Sequence, residues 1–303
     1  MVGYGVFADT GISRGDLDLL AACPPCQGFS SIRTRNQKIS EDPRNELIFE
    51  VMRLIEELLP KCVLIENVPR LLNDSRVDTF KQSLTKLGYV FAGGVLDAQH
   101  FGVPQRRKRM ILIGSRIGQI NLPEAIPHLK KTVRDALGDI PSPDSPHKRP
   151  LHRLRQRLSK RILERISHVK KNRHELPQHL VLDCHKKYPN GFRDVYGRIS
   201  WDEVSPTITR SSHNPSKGRF VHPNENRGLT AYESMILQGF PRSYKFPVKF
   251  GLGKISSMIG EALPPPFAQA QAQHIKCFLD GLKGNIGSDD ATDSDCDLAT
   301  ANV

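Results

Sequence analysis

The sequence predicts an α/β protein with a separate basic module, and three observations lead to this fold class. Over residues 18–116 the spacing of apolar residues alternates between the period of a strand and that of a helix, as in α/β folds whose strands and helices alternate along the chain. Residues 128–173 instead hold fourteen Lys and Arg but only four acidic residues. The closing residues 284–303 are acidic, rich in small residues and without periodicity. We therefore predict half of a doubly wound sheet, a basic insertion and a disordered acidic tail.

The first third of the chain contains the predicted sheet. A strand at 17–22 runs into a long loop rich in Pro, Gly, Ser and charged residues, a composition that favours an exposed connection over a packed element. Apolar residues at helical spacing then predict a helix that begins at Leu47 and ends before Pro60. The remaining predictions are a strand at 62–65, a helix at 77–87, and strands at 89–97 and 110–114.

The basic stretch that follows contains apolar residues at a regular interval. Leu154, Leu158, Ile162 and Ile166 are four residues apart, which predicts an amphipathic helix with a cationic outer face. A solvated charged face is the plain alternative. The local excess of positive charge favours contact with a nucleic acid instead.

Regular structure returns after Trp201. Thr230-Ala-Tyr-Glu233 is a capping box, which predicts that a helix begins there. Residues 254–281 form the last predicted helical region, and the three prolines at 264–266 interrupt it.

Composition points to a polyanionic partner. The chain has 303 residues, with 44 Lys plus Arg against 32 Asp plus Glu and a net charge of +12. The mean hydropathy is −0.41, and no apolar run is long enough to cross a membrane. The first residues contain neither a basic segment nor a long apolar one. We therefore expect an intracellular protein in a reducing environment.

The segment Cys23-Pro-Pro-Cys26 allows three interpretations. One is a redox pair, but the Gln-Gly-Phe-Ser that follows is a loop and lacks the helix of thioredoxin-like sites. Another is half a zinc site, but no second Cys-x-x-Cys or tight Cys/His pair supplies two further ligands, so we predict no metal. The third is a single nucleophile, Cys26, at the C-terminal edge of a strand, where α/β sheets place their sites.

An ordered set of motifs resembles the DNA (cytosine-5) methyltransferase family. Pro25-Cys26-Gln27, with Gly-Phe-Ser behind it, is similar to the catalytic signature of that family. The other blocks follow in family order: Glu66-Asn67-Val68, Gln105-Arg106-Arg107-Lys108-Arg109, Arg227 to Glu233 with Gln238-Gly-Phe-Pro241, and Gly260-Glu261-Ala262. Chance rarely produces five such blocks in one order. The similarity covers roughly residues 18–116 and 196–276.

The resemblance implies a covalent mechanism. The Cys26 thiolate adds to C6 of cytosine and so makes C5 nucleophilic toward a methyl sulfonium. Glu66 hydrogen-bonds the base at N3 and N4, while Arg107 and Arg109 orient Glu66 and contact the base O2. Alone, Glu66 would be a solvated strand end and the arginines a surface charge run, but their joint occurrence favours the catalytic interpretation. A duplex hides C5 and C6, so the cytosine has to be flipped out.

The resemblance also implies S-adenosyl-L-methionine as the cofactor. Pro25, Gly260, Glu261 and Ala262 would line one side of its pocket, and many relatives have Asn where this chain has Glu261. Only about 25 residues precede Cys26, and they lack the Gly-rich segment that supports the cofactor in the family. We therefore expect an incomplete doubly wound, Rossmann-like methyltransferase sheet. A truncation, a misassigned start or an N-terminal partner subunit would account for the missing motif.

These expectations combine into one hypothesis, a DNA (cytosine-5-)-methyltransferase of the restriction-modification type that acts on double-stranded DNA. The resemblance also implies a cytoplasmic protein of bacterial type, associated with the nucleoid. The predicted domains are a truncated catalytic domain at 1–116, a smaller basic target-recognition region at 117–195, the end of recognition with the return to the catalytic domain at 196–283, and a disordered tail at 284–303. Three alternatives stay open: a tRNA cytosine-5 methyltransferase, an inactive or split-enzyme DNA-binding remnant, and a thiol-disulfide oxidoreductase using Cys23 and Cys26. The bulky basic insert favours DNA over tRNA.

Overall fold

The computed structural model describes residues 11–25, 46–146, 149–171, 175–188 and 191–284. These residues divide into two compact units. Within these ranges, the first unit draws on residues 11–97, Lys108–Glu124 and residues 270–284, and the second on Ala98–Arg107 and Ala125–Gln269. This division differs from the predicted boundaries, because the chain leaves the sheet-bearing unit after Asp97 and returns to it at Lys108. The predicted tail and the loop that carries Cys26 lie outside the described residues.

A four-stranded sheet forms the first unit, in the order β1-β2-β4-β3. Its strands are β1 (Leu19–Ala22), β2 (Cys62–Asn67), β3 (Val90–Asp97) and β4 (Lys108–Ser115). β1 pairs with β2 in parallel, whereas β4 runs antiparallel to both β2 and β3. The predicted α/β class is confirmed, but the sheet is mixed, whereas a repeated β-α-β half would be parallel throughout. The connection from β3 to β4 holds only a 3-10 helix of four residues, too short for a parallel crossover.

Two amphipathic helices bury their apolar faces in this unit. α1 (Leu47–Leu58) ends where Leu59 adopts a left-handed conformation with φ 47°, one residue before a proline. α2 (Ser75–Thr85) is capped at its N-terminus by Asp74, whose side chain accepts a hydrogen bond from the backbone N–H of Arg76. The core that they share with the sheet contains Ile55, Ile65, Val77, Phe80, Leu84 and Met110.

The second unit is built from short helices and irregular segments. Its helices are α3 (Val133–Leu137), α4 (Pro150–Arg153), α5 (Lys160–His168), α6 (Asp183–Lys186), α7 (Ala231–Leu237) and α8 (Gly251–Glu261). The last helix, α9 (Pro265–Gly284), contributes to both units, and the break between α8 and α9 falls at the prolines as predicted. Within the described ranges, no helix is both long enough and apolar enough to cross a membrane.

The predicted basic helix is present only in part. α4 ends at Arg153 and α5 begins at Lys160, so residues 154–159 are not helical. A tertiary contact accounts for the break, because the Leu154 carbonyl accepts a 2.9 Å hydrogen bond from the Ala231 N–H at the start of α7. In one continuous helix that carbonyl would accept from the amide four residues later in the same helix.

The cationic face of α5 is narrower than the sequence predicts. Arg165 is buried at 4% exposure, with its Nε donating to the Leu180 carbonyl at 2.9 Å and its guanidinium 5.6 Å from the Tyr196 ring. Lys160 and Arg161 remain exposed. Arg165 therefore packs the interior of the basic module and is not placed to contact phosphates.

A buried ion-pair network organises the start of α7. Arg227 donates to both carboxylate oxygens of Glu233, at 2.8 and 2.7 Å, and to Glu225 at 2.9 Å. Glu233 also completes the capping box with Thr230, which confirms the sequence prediction. Burial opposes ionisation of Glu233, but the hydrogen bonds and charge of Arg227 lower its pKa. The neighbouring His222 is itself buried, and that burial lowers its pKa to about 4.

Candidate active site

Glu66 and Arg109 form an ion pair on the two central strands of the sheet. β2 and β4 pair with Glu66 opposite Ile111, so Arg109 is its diagonal neighbour on the same face. The Arg109 Nε lies 2.9 Å from the Glu66 Oε1, and only 16% and 13% of the two side chains are exposed. The guanidinium therefore fixes the orientation of the carboxylate that the sequence predicts to act on a base.

The thiol of Cys23 lies beside Glu66, because β1 and β2 pair in parallel with Ala22 next to Ile65. Desolvation, the charge of Glu66 and a hydrogen bond to its carboxylate raise the pKa of Cys23 to about 12. A thiol held protonated in this way is a poor nucleophile and a poor partner for disulfide exchange. This environment speaks against the redox interpretation of Cys23 and Cys26.

Asn67 ties the end of β2 to the segment that leads into Cys26. Its Nδ2 donates to the Pro24 carbonyl at 2.8 Å, while its Oδ1 accepts the Val68 N–H at 2.8 Å. Only 3% of Asn67 is exposed. Cys26 itself lies outside the described residues, so its catalytic role stays a prediction. We predicted no role for Asn67 from the sequence. Its position directly after Glu66 in the family motif is the sequence feature that marks it as part of the site.

Arg107 belongs to the second unit and binds backbone. Its two terminal nitrogens donate to the carbonyls of Ile208 and Gly260 at 3.0 Å each and of Ala262 at 3.3 Å. Only 3% of the residue is exposed. These hydrogen bonds show that Arg107 anchors three distant backbone groups. Its expected part in orienting Glu66 and in contacting the base O2 stays a prediction.

Two buried glutamines connect the motif blocks inside the second unit. The Gln105 Nε2 donates to the Gln238 Oε1 at 2.8 Å, and the Gln105 Oε1 accepts the Ile208 N–H at 2.7 Å. Gln238 in turn donates to the Ala262 carbonyl at 2.5 Å. We predicted no role for either glutamine from the sequence. Their placement in separate blocks of one family pattern was the only sequence signal that they belong together.

The predicted cofactor segment follows the end of α8. A Cβ on Gly260 would lie 2.2 Å from the Thr209 carbonyl carbon, so this glycine makes room for neighbouring backbone. Glu261 is exposed and its Oε1 lies 3.2 Å from Arg210. Pro25, the fourth predicted cofactor residue, is exposed in the first unit. Pro25 and Glu261 are exposed, Ala262 is half-buried and Gly260 is buried. The assignment of these four residues to the cofactor stays a prediction.

Comparison with known proteins identifies the family of the chain. The profile of the family described as C-5 cytosine-specific DNA methylase matches residues 7–277. The chain is 34% identical over 282 residues to the type II methylase M.HgiDII of Herpetosiphon aurantiacus, spanning 87% of this chain and 77% of that protein. It is also 34% identical over 274 residues to the type II methyltransferase M1.BsuMI of Bacillus subtilis (strain 168), spanning 85% and 60%.

A solved structure has the same fold. The crystal structure of a prophage-encoded DNA modification methyltransferase from E. coli matches with a TM-score of 0.61, covering 88% of this chain and 80% of that one. The two sequences are 21% identical.

Proposed function

Because the chain belongs to the C-5 cytosine-specific DNA methylase family, we propose that it is a DNA (cytosine-5-)-methyltransferase that methylates C5 of a cytosine flipped out of duplex DNA. One observation carries the proposal: the half-buried Glu66–Arg109 pair, 2.9 Å apart, lies beside the Cys23–Pro25 segment that leads directly into Cys26. Addition of a thiolate to C6 of cytosine requires a group that assists protonation of the ring, and a carboxylate held close to the nucleophile can do this.

Cys26 is the nucleophile in this proposal. Its thiolate forms a bond to C6 of the cytosine, and the C5–C6 π electrons move into the ring. C5 then forms a bond to the methyl group, while the S–CH₃ bond of the sulfonium breaks and its electron pair stays on sulfur as a thioether. Removal of the C5 proton then returns the electron pair to the ring and expels the thiolate. The raised pKa of the Cys23 thiol makes it a poor nucleophile. Cys26 is the cysteine that the family motif assigns to the reaction.

Glu66 acts on the Watson–Crick edge of the flipped base. It hydrogen-bonds N3 and N4 and favours protonation at N3, which withdraws charge from the ring while the thiolate adds. Arg109 holds the carboxylate in place and contacts O2. Arg107 is a positioning residue, because its guanidinium holds the 260–262 backbone.

S-adenosyl-L-methionine supplies the methyl group when bound. Pro25, Glu261 and Ala262 are the residues that would touch it, and the exposed Glu261 carboxylate offers hydrogen-bond acceptors for its polar groups. β1 has only β2 as a neighbour within the described sheet. We propose that a further segment pairs along this β1 edge and completes the cofactor site. Its source is a longer form of this chain or an N-terminal partner subunit.

Duplex DNA is the proposed substrate partner, and a nucleoid-associated location would follow from it. The net charge of +12 supplies the general attraction, and exposed basic residues around α5 lie in the module that the sequence assigns to target recognition.

A mechanism-based trap tests the proposal. Duplex DNA with 5-fluorocytosine at the target base blocks the final elimination, so a cofactor-competent form should yield a covalent adduct that survives denaturation. Cys26→Ser should abolish the adduct and Cys23→Ser should retain it. Equal loss in both variants would favour the redox pair, while trapping on tRNA alone would favour the tRNA enzyme. Binding to DNA without any adduct would favour the inactive remnant.

Calorimetry with S-adenosylmethionine tests the partner subunit separately. A micromolar dissociation constant corresponds to roughly −8 kcal/mol. We expect the 303-residue chain to bind more weakly than this until the partner is added. Micromolar binding by the chain alone would contradict the need for a partner.

A further inference from the structure

A cavity of about 600 Å³ lies entirely within the second unit. Tyr232 of α7, residues 149–151 at the start of α4 and residues 242–248 line it. The volume falls in the range of small-ligand pockets, about 300–1,000 Å³. None of the described residues assigned to methyl transfer lines this cavity. The cavity is therefore a separate feature of the fold.

Tyr232 places a buried polar atom at the cavity. Only 4% of the residue is exposed, and its hydroxyl has no hydrogen-bond partner among the described residues. Leaving such a group unpaired costs free energy, and most buried hydroxyls in proteins are paired. Tyr232 lines the cavity while its hydroxyl oxygen is covered, so a ligand would pair with this oxygen after a small turn of the side chain toward the cavity.

Tyr244 and Phe246 line another side of the cavity and belong to an aromatic cluster. The rings of Phe240, Tyr244 and Phe246 lie with centroids 4.8 to 5.4 Å apart. Phe246 is 8% exposed and supports the cluster from inside, whereas Tyr244 is 48% exposed. A half-exposed ring held by two others offers a rigid flat face, which is suited to stacking with a planar ligand.

The charged residues of the lining are all basic. Arg149, Arg242 and Lys245 line the cavity, and no acidic side chain does so among the described residues. Arg242 is paired with Asp139 at 2.6 and 2.7 Å, and the Arg149 guanidinium lies 5.4 Å from the Tyr232 ring. An anion is favoured by this lining, and the cationic sulfonium of S-adenosylmethionine is disfavoured.

We propose that this cavity binds one nucleotide. Its base stacks against Tyr244 and takes the hydrogen bond of the Tyr232 hydroxyl, while Lys245 and Arg149 hold its phosphate. The chemistry of an aromatic base joined to a phosphate is shared by a free nucleotide and by one residue of a nucleic-acid strand. This proposed site includes neither Cys26 nor Glu66, so nucleotide binding there can be tested independently of methyl transfer.

Fluorescence of 2-aminopurine tests the site on the full chain, because this base loses emission when it stacks on an aromatic ring. The probes are 2-aminopurine deoxyriboside 5′-monophosphate and a single-stranded oligothymidylate with one 2-aminopurine. We expect saturable quenching of the strand, the free nucleotide or both. Quenching of the strand alone would identify nucleic acid as the source of the ligand, and quenching of both would include free nucleotides.

Two variants separate stacking from hydrogen bonding. Tyr244→Ala should weaken binding by about 5- to 150-fold, the range found for loss of one stacking partner. Tyr232→Phe removes only the hydroxyl and should weaken binding by about 2- to 12-fold. It should leave the thermal unfolding midpoint unchanged or higher, since that hydroxyl has no partner in the described structure.

Matched controls make the result specific. Tyr188→Ala removes another exposed tyrosine of the second unit, 57% exposed and not in the lining, and should leave binding unchanged. Lys245→Ala should weaken the monophosphate but not the corresponding nucleoside.

Several outcomes would overturn the proposal. These are the absence of quenching with both probes, and quenching that is insensitive to Tyr244→Ala and Tyr232→Phe. Displacement of the probe by an acidic aromatic peptide that binds more tightly than any nucleotide would also overturn it and would identify a peptide groove.

Discussion

The Nε of Arg109 lies 2.9 Å from the Oε1 of Glu66. Arg107, two residues earlier, directs its guanidinium to backbone carbonyls of the second unit. Two arginines from a single basic run therefore have different tasks: one orients a carboxylate on the sheet and the other holds backbone. Substitutions at the two positions should consequently have different effects.

Glu66→Gln should slow methyl transfer by about 10² to 10⁴, the usual contribution of a positioned acid or base. DNA affinity should change little, because the carboxylate is assigned to the base and not to phosphates. Single-turnover methylation and gel-shift titration measure the two quantities. Glu56→Gln makes the same change at an exposed position and should be neutral. A loss of affinity in proportion to the rate would mean that Glu66 is structural.

Substitutions of Arg109 should show that it acts through Glu66. Arg109→Lys keeps the charge without the planar donor, and Arg109→Gln removes the charge, so the rate should fall more in the second variant. In the Glu66→Gln background both changes should cost much less, which a double-mutant cycle measures. Full additivity would contradict the coupling.

Arg107→Met should destabilise the fold. Loss of its hydrogen bonds would leave the buried carbonyls of Ile208 and Gly260 unpaired, so the free energy of unfolding should fall by on the order of 3 kcal/mol. Urea denaturation followed by circular dichroism measures the change. Arg106→Met, at an exposed neighbouring position, should cost little. Equal effects of the two variants would refute the anchoring role.

The free energy of unfolding should decrease as the pH falls from about 6.5 to about 4, because His222 has a lower pKa in the folded protein than in the unfolded chain. Burial lowers the pKa of His222 to about 4 from its ordinary 6.5, so the unfolded chain binds more protons between these values. The contribution of His222 is therefore complete above about pH 6.5 and is lost as the pH falls toward 4, by up to about 3 kcal/mol. His222→Gln should flatten this dependence, while His179→Gln, an exposed position, should leave it unchanged. An unaltered slope in His222→Gln would disprove the assignment.

The exposed basic residues around α5 should bind phosphates of the DNA backbone. Replacing Arg157, Lys160 and Arg161 with Ala should reduce the slope of log K against log salt by about 0.9 for each phosphate of duplex DNA that the variant no longer neutralises. Sequence preference should persist, because phosphates carry no sequence information. Fluorescence anisotropy at several salt concentrations measures the slope.

A control for the salt experiment removes Arg53 and Lys86, two exposed charges of the first unit. It should change the slope less than the α5 variant does. If the α5 variant keeps both its salt slope and its sequence preference, its basic residues are an ordinary solvated face. If it keeps the slope but loses the sequence preference, these side chains contact bases in a groove.

Local patterns predicted the elements that local forces control. Apolar spacing predicted α1 within one residue of its observed end, and the capping box predicted the start of α7, because both depend on residues within one or two turns. The same spacing failed over residues 154–159, where the Leu154 carbonyl accepts a hydrogen bond from Ala231. Periodicity carries no information about a partner that lies so far away in the chain.

By itself the sequence determined the α/β class, the order of the strands and helices, and the motif blocks that mark the family. Only the tertiary structure decided that the sheet is mixed, that Arg165 is buried, and that Arg109 is the arginine at Glu66. Arg107 takes its partners from residues 101 and 153 positions away. Hydrogen bonds over such separations depend on how the whole chain packs, whereas helix and strand patterns depend on neighbours within a few residues.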